Sequence, residues 1–488
     1  MAGSDPHAAC REHQPVAQHA ELLVVGAGPA GLAAAIEGAR EGRRTVLVDE
    51  NPLAPGLMGM DVPLLFGGRM DASAGDAGRV LEHLVATTPA LAEAFDLGVE
   101  VLLGTCAWGL YVPGGAMRSL PGPVVGIADE TRSWLCGFDR LVVAAGARDL
   151  VLPFEGSELP GIVGANAMHS LLTRYAAFAG RRLVVLGSGT LALSTALLAL
   201  EHGLEVAAVV EARETVQGPA ALRRQLEDAG VEIVAGHVIR AARGSVDGVA
   251  AAVLVPLGSG AEREIACDTV CLALGLVPNA ELLDAAGAAL AMRPERGGWV
   301  PVLGEEGRTS LPSVFAVGDC AGLDSEPFAY RMDWMRALVE AGGLRVNACT
   351  CEEVTREELL GMRAPRYLAH SSAPADARSL ATLLKDGPVN QDHVKRLTRA
   401  GMGPCQGRRC REQIALLLAA EAGVAPESVP LAGYRAPVRP LPLGLLAATD
   451  EPQALREGWD VWFGIRRQWT PYADIGTERE WLGDRGHL

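Results

Sequence analysis

One local pattern occurs twice in this chain and leaves few folds open to it. The apolar run at residues 22–25 leads directly into Gly26-Ala27-Gly28-Pro29-Ala30-Gly31. A helix is expected over 32–40 with Gly42 closing it, and a second apolar run at 46–48 ends in Asp49-Glu50. The order returns with the run at 183–186, then Gly187-Ser188-Gly189-Thr190-Leu191-Ala192, a helix closed by Gly203, and the run at 206–210 followed by Glu211. Gly187, Gly189, Gly203 and Glu211 stand at one constant offset of 161 positions from Gly26, Gly28, Gly42 and Glu50. A strand, a glycine turn, a helix and a second strand in this order form half of a doubly wound parallel sheet.

The chemistry needs these residue types in this order. Gly26 permits the tight turn, Gly28 lets backbone approach a pyrophosphate, and Gly31 lets the helix pack on the strand. The helix N-terminus offers unpaired N–H groups and a positive dipole end to phosphate. An acid ending the second strand accepts ribose hydroxyls. The constant offset pairs Glu50 with Glu211 and favours Glu50 over Asp49 as the first ribose acceptor; both acids are kept. In the second copy Gly187, Gly189 and Glu211 take the corresponding places, and Ala192 replaces the third glycine. An adenine nucleotide (NAD or ATP-like) and a retained but empty fold are both open there.

Two further apolar runs, 141–146 and 272–279, end in glycine turns and bracket the second copy, as if the chain left one domain and later returned. Residues 312–322 read as a strand, a Gly318-Asp319 turn and a helix start, where an acid can accept from a ribityl hydroxyl. These motifs, in this order over residues 20–345, resemble the glutathione reductase-like flavoproteins with two dinucleotide-binding domains. The resemblance implies an α/β fold of two Rossmann-like domains, the second inserted in the first. It implies FAD on Gly26, Gly28, Pro29, Ala30, Gly31, Asp49 or Glu50, Gly146, Gly318 and Asp319, and a pyridine nucleotide in the inserted domain.

Members of that class that reduce disulfides carry a close cysteine pair, which is missing here. Cys267 and Cys271 are expected on one strand, where four residues span roughly 13 Å. A disulfide needs a Cα separation of ~5.5 Å. With Cys10, Cys106, Cys136 and Cys320 they read as ordinary packed residues. Four other cysteines do not. Cys349-Thr350-Cys351 and Cys405…Cys410 supply four thiols from two short segments, with Gly401 and Gly403 allowing close backbone approach and Pro404 placed to begin a helix. Four thiolates suit a [2Fe-2S] cluster or Zn²⁺.

The stretch 394–410 resembles the bacterioferritin-associated-ferredoxin-like [2Fe-2S] domain. In that family the domain forms the C-terminal part of the larger subunit of opine oxidases, hydrogen cyanide synthase and dye-linked amino-acid dehydrogenases. The two cysteine pairs are farther apart than in the compact pattern, and 361–388 reads as an insertion. The resemblance implies a subunit carrying FAD and [2Fe-2S] in a heteromeric flavoenzyme that oxidises an amino acid, opine or related secondary amine. It implies a smaller, FAD-binding, amino-acid-oxidase-like partner that holds the substrate, a small ferredoxin-like subunit, and FMN at a subunit interface in some relatives. No catalytic set stands beside the flavin motifs, and His169 and His393 read as surface or packing residues. Two other readings stay open: a self-contained NAD(P)H-dependent reductase, and a nucleotide-binding scaffold with a zinc-stabilised domain.

Length and charge bound the rest. A chain of 488 residues has room for about three domains. The expected divisions are 20–150 and 283–345 for the interrupted FAD domain, 151–282 for the insert, 346–425 for the cysteine module, and 426–488 for a tail. Its four tryptophans, Trp459, Trp462, Trp469 and Trp481, suit packing or a subunit interface. A formal charge of −16 argues against a broad nucleic-acid surface. No signal-peptide pattern and no long apolar span are visible, so a cytoplasmic location is expected.

Overall fold

The computed structural model describes residues 15–53, 66–112, 120–258, 260–324, 326–368, 377–448 and 477. Cys10, the four tail tryptophans and residues 369–376 of the expected insertion lie outside them. Among the described residues no helix is long and apolar enough to cross a membrane.

The first sheet is built around Gln18–Val25. This strand pairs in parallel with Thr45–Asp49 on one side and Ser133–Val143 on the other, and Glu100–Leu103 extends the sheet beyond Thr45–Asp49. The long Ser133–Val143 strand serves two further partners. Its first half pairs antiparallel with Val124–Ala128, and its last residues pair in parallel with Val314–Ala316, far downstream in sequence. The runs at 22–25 and 46–48 are wholly buried, as expected of parallel strands covered on both faces. The helix Pro29–Arg40 covers one face, burying Gly31, Leu32, Ala35 and Ile36.

Between those partners the chain leaves along Ala147–Asp149 and returns along Leu276–Pro278, which pair antiparallel side by side. The excursion forms a second parallel sheet in the order Glu232–Val234, Glu205–Val210, Arg182–Leu186, Thr269–Leu272, Ile162–Gly164. An antiparallel meander of His237–Ser245, Gly248–Pro256 and Arg263–Ala266 adjoins it. The fold is therefore α/β, with one Rossmann-like unit inserted in another. The run 272–279, expected as one strand, is divided: Leu272 ends in the second sheet and Leu276 begins the return crossing.

The cysteine segments pack against this excursion. The helix Arg411–Ala422 is buried nearly all round through Ile414, Leu416, Leu417 and Leu418. It shares one hydrophobic core with Leu254, Leu272, Trp334 and Leu338. From 431 to 442 the chain runs back along the first sheet without regular structure, burying Tyr434 and Val438, and Val438 N–H donates to Trp108 O at 2.8 Å.

Candidate functional site

The two glycine loops share a framework and differ in what covers them. In the first, Gly26 has φ +108° and its N–H donates to Val48 O at 2.8 Å. A Cβ on Gly31 would run into the Gly26 carbonyl. Around a Cβ on Gly28 nothing lies within 4 Å, so the loop presents an open cradle. The helix starts at Pro29 with Gly28 as N-cap and no side chain capping it, which leaves first-turn N–H groups for an anion. Gly318 closes on the same place, since its Cβ would stand 2.9 Å from Ala30 Cβ. Asp319 lines an open cavity of about 520 Å³ with Leu276, Arg296 and Leu323. The helix expected after Asp319 is only a single turn, Gly318–Ala321. Gly31→Ala is expected to wedge loop and helix apart, costing about 1–3 kcal/mol. The check is flavin content and melting temperature, both of which should fall.

The second loop repeats the hydrogen bond, with Gly187 N–H donating to Val210 O at 2.8 Å. That bond corrects the expected pairing of acids. A β-bulge between Val206 and Ala208 adds one residue to the second copy, so Val210 occupies the place of Val48. Glu211 is therefore the counterpart of Asp49, and the preference for Glu50 falls. Local bonding agrees: Asp49 accepts from Asn51 N–H at 2.7 Å, and Glu211 from Arg213 N–H at 2.7 Å. Asp49 also accepts from Ala27 N–H at 2.5 Å. Glu50 instead pairs with Arg439 of the returning segment, Nε to Oε2 at 2.7 Å.

Around the second loop the groups are engaged within the protein. Glu211 is fully buried and accepts from Ser188 Oγ at 2.5 Å and Tyr330 Oη at 2.7 Å. Gly189 has the Glu326 side chain lying against it, with Cγ 2.7 Å from where a Cβ would be. Ala192 is fully buried where a third glycine would pack.

The four singled-out cysteines are brought together. Cys349 ends the strand Asn347–Cys349, which turns through Cys351 to Val354–Thr355. Gly401 N–H donates to Cys349 Sγ at 3.4 Å, and a Cβ on Gly403 would stand 2.5 Å from Cys351 Cβ, so both glycines hold the second segment against the hairpin. The thiols form two pairs. Cys351 donates to Cys405 and Cys410 to Cys349, which lowers the accepting thiols and raises the donors. Among the described residues no group of three or more His, Cys, Asp or Glu is placed around one metal ion. The helix expected at Pro404 begins only at Arg411, with Cys410 as its N-cap.

The remaining described thiols differ. Burial pushes Cys106 and Cys136 up to about 12 and Cys267 and Cys320 to about 11, while Cys271 is raised by the same cause. Cys267 lies before the Thr269–Leu272 strand rather than on it, and both it and Cys271 are unbridged.

One side chain joins the two regions. Arg148, two residues after Gly146, donates from Nε to Arg408 O in the Cys405–Cys410 loop at 2.8 Å. Its other nitrogens reach Glu281 at 2.6 Å and Glu412 at 2.5 Å. Burial alone would lower its pKa; the two carboxylates outweigh that and hold it charged. Sequence reading missed Arg148, Glu281, Glu326, Tyr330, Glu412 and Arg439, because no local motif marks them.

Residues 375–450 match the sarcosine oxidase A3 domain, the region that carries the second cysteine pair and the segment returning to Glu50. The opine oxidase A subunit of Agrobacterium tumefaciens (strain Ach5) is 27% identical, covering 88% of this chain and 91% of that protein. The sarcosine oxidase alpha subunit of Corynebacterium sp. (strain P-1) is 28% identical, covering 92% of this chain and 47% of that longer protein. The crystal structure of L-proline dehydrogenase from P. horikoshii has the same fold, with a TM-score of 0.58 and 19% identity over 88% of this chain and 79% of that one. Residues 20–341, which hold both glycine loops and the returning Gly318-Asp319 turn, match the pyridine nucleotide-disulphide oxidoreductase family, and the chain belongs to it.

Proposed function

We propose that this chain is the electron-transferring subunit of a heteromeric flavoenzyme that oxidises an amino acid, opine or related secondary amine. FAD is assigned to the first loop, where Gly28 leaves the cradle open, Asp49 ends the second strand and Gly318-Asp319 closes over Ala30. A [2Fe-2S] group is assigned to Cys349, Cys351, Cys405 and Cys410. The observation that carries the reading is the meeting of four thiols from two short segments, with Gly401 N–H on Cys349 Sγ and Gly403 against Cys351; four thiolates suit a [2Fe-2S] cluster or zinc, and metal analysis decides between them. Bound together, a flavin and such a cluster supply conversion of two-electron to one-electron chemistry.

The chain's own residues bind and orient. Asp49 holds the loop through Ala27, and Arg148 ties the cysteine loop to the strand that follows Gly146. Substrate chemistry is assigned to a smaller flavin-binding partner. Further components are an interfacial FMN and a small ferredoxin-like subunit. The divisions at 150, 282, 345 and 425 are kept as functional divisions, although the cysteine module shares its core with the insert.

Metal and sulfide analysis of the purified chain is expected to return about two irons and two acid-labile sulfides per chain. Zinc without iron would overturn the assignment. Mixing the chain with NADH in a stopped-flow instrument is expected to leave the flavin unbleached over seconds, and prompt bleaching would favour a self-contained reductase. Co-purification with its partner, followed by a screen of amino acids and opines for dye reduction, identifies the substrate class.

A further inference from the structure

The start of the helix Phe328–Gly342, with the residue before Pro327, meets both ligand-binding groups of the second loop. Tyr330 Oη accepts from Ser188 N–H at 2.9 Å and donates to Glu211 Oε2 at 2.7 Å, so it bonds the carboxylate that a ribose hydroxyl would otherwise meet. Glu326 lies on Gly189, and its Oε1 stands 3.4 Å from the N–H of Leu191, in the first turn of the helix Thr190–Glu201. That first turn is where a phosphate would bind. The first loop offers the contrast: among the described residues Gly28 meets nothing within 4 Å, and Asp49 accepts from Ala27 and Asn51 of its own loop region with no tyrosine bonded to it. Two loops with the same backbone bond to the second strand thus differ in occupancy by the protein's own side chains.

We propose that Glu326 and Tyr330 act as a built-in stand-in for a nucleotide in the second fold, the carboxylate for its phosphate and the phenol for its ribose hydroxyl. A nucleotide must displace them, so the site is held closed by competition. The inference rests on reading the second fold as an adenine-nucleotide site. Physical opposition comes from two sources. A bound phosphate would meet a carboxylate of its own sign at the helix end, and the N–H it seeks is already facing an acceptor. The ribose acceptor, being fully buried, has no free face until Tyr330 moves. A ligand that binds only the open state loses affinity by the population of the closed one.

The test is titration calorimetry of the full chain with two probes, ADP and inorganic pyrophosphate. Glu326→Gln removes the charge and keeps the length, and is expected to tighten both probes by about ten-fold. Tyr330→Phe frees Glu211 from the phenol and is expected to tighten ADP and leave pyrophosphate unchanged. Glu326→Ala repeats the first arm should the amide keep its contact with Leu191, and melting temperatures confirm that each variant is folded. Equal binding of ADP by the parent chain, Glu326→Gln and Glu326→Ala would overturn the proposal while leaving a nucleotide site in place. Absence of binding in every protein would overturn both the proposal and the reading beneath it.

Discussion

Replacing Cys405 with serine is expected to abolish the visible absorption of the proposed iron–sulfur group and to leave flavin bound at the first loop. Cys405 is buried, yet its thiol is lowered, because Cys351 donates its S–H to it and Arg408 and Arg409 stand near. A serine hydroxyl there remains protonated at neutral pH and supplies no thiolate. Cys351 then faces a neutral hydroxyl in place of a thiolate, so that pair supplies at most one sulfur ligand. Loss of one partner of a metal ligand costs about 10–100-fold in affinity, and loss of the ligand itself is expected to exceed that. The measurement is the visible spectrum with iron and flavin content on the same sample. Cys136→Ser is the control, since burial pushes Cys136 up to about 12 and it belongs to neither pair. Retention of full iron in Cys405→Ser would sink the assignment. Loss of flavin as well would mean that the shared core transmits the damage.

The second large effect is expected at Arg148. Arg148→Met removes the cation shared by Glu281 and Glu412, leaving Glu412 with Arg411 at 3.8 Å, and removes the donor that holds the Arg408 carbonyl. Glu281 is almost wholly buried; burial raises its pKa, and Arg148 together with Arg439, Arg408 and a backbone N–H outweighs that and lowers it, with Arg148 the largest of these. Breaking such a pair from one side leaves an uncompensated charge and costs about 3–5 kcal/mol. Denaturant unfolding is expected to show a lowered midpoint with little change in slope. Combining Glu281→Gln with Arg148→Met is expected to recover part of that loss, because the stranded charge is then gone. No recovery would indicate that the arginine acts through the Arg408 carbonyl alone. Arg148→Lys tests the fork geometry: one ammonium cannot make the guanidinium's separate bonds to Arg408, Glu281 and Glu412 at once.

Much of the architecture was legible because it is written in local order. A buried strand, glycines at fixed spacing and a helix that starts on them are short-range features, and both copies folded where their patterns stand. The four cysteines were equally legible, since spacing and flanking glycines limit what two such segments can do. Legibility failed where one residue of pairing mattered. The offset of the two copies is gapless in sequence, yet a bulge at Ala207 shifts the strand by one position and exchanges Glu50 for Asp49. A period-two strand carries no local mark of such an insertion. The helix expected at Pro404 failed for a related reason: the Cys405–Cys410 loop is held by contacts to Cys349, Cys351 and Arg148, which override its own preference to begin a helix.

Order and spacing along the chain thus sufficed for the repeated dinucleotide fold, the interruption of one unit by the other and the two cysteine segments. Only the tertiary structure decided that Arg439 takes Glu50, that Arg148 joins the cysteine loop to the flavin-side strand, and that Glu326 and Tyr330 cover the second loop. The physical reason is separation: glycine turns and helix starts are set by neighbours within a few residues. A carboxylate's partner is set by whichever charged or polar group the folded chain carries to it, here from as far as Arg439 to Glu50.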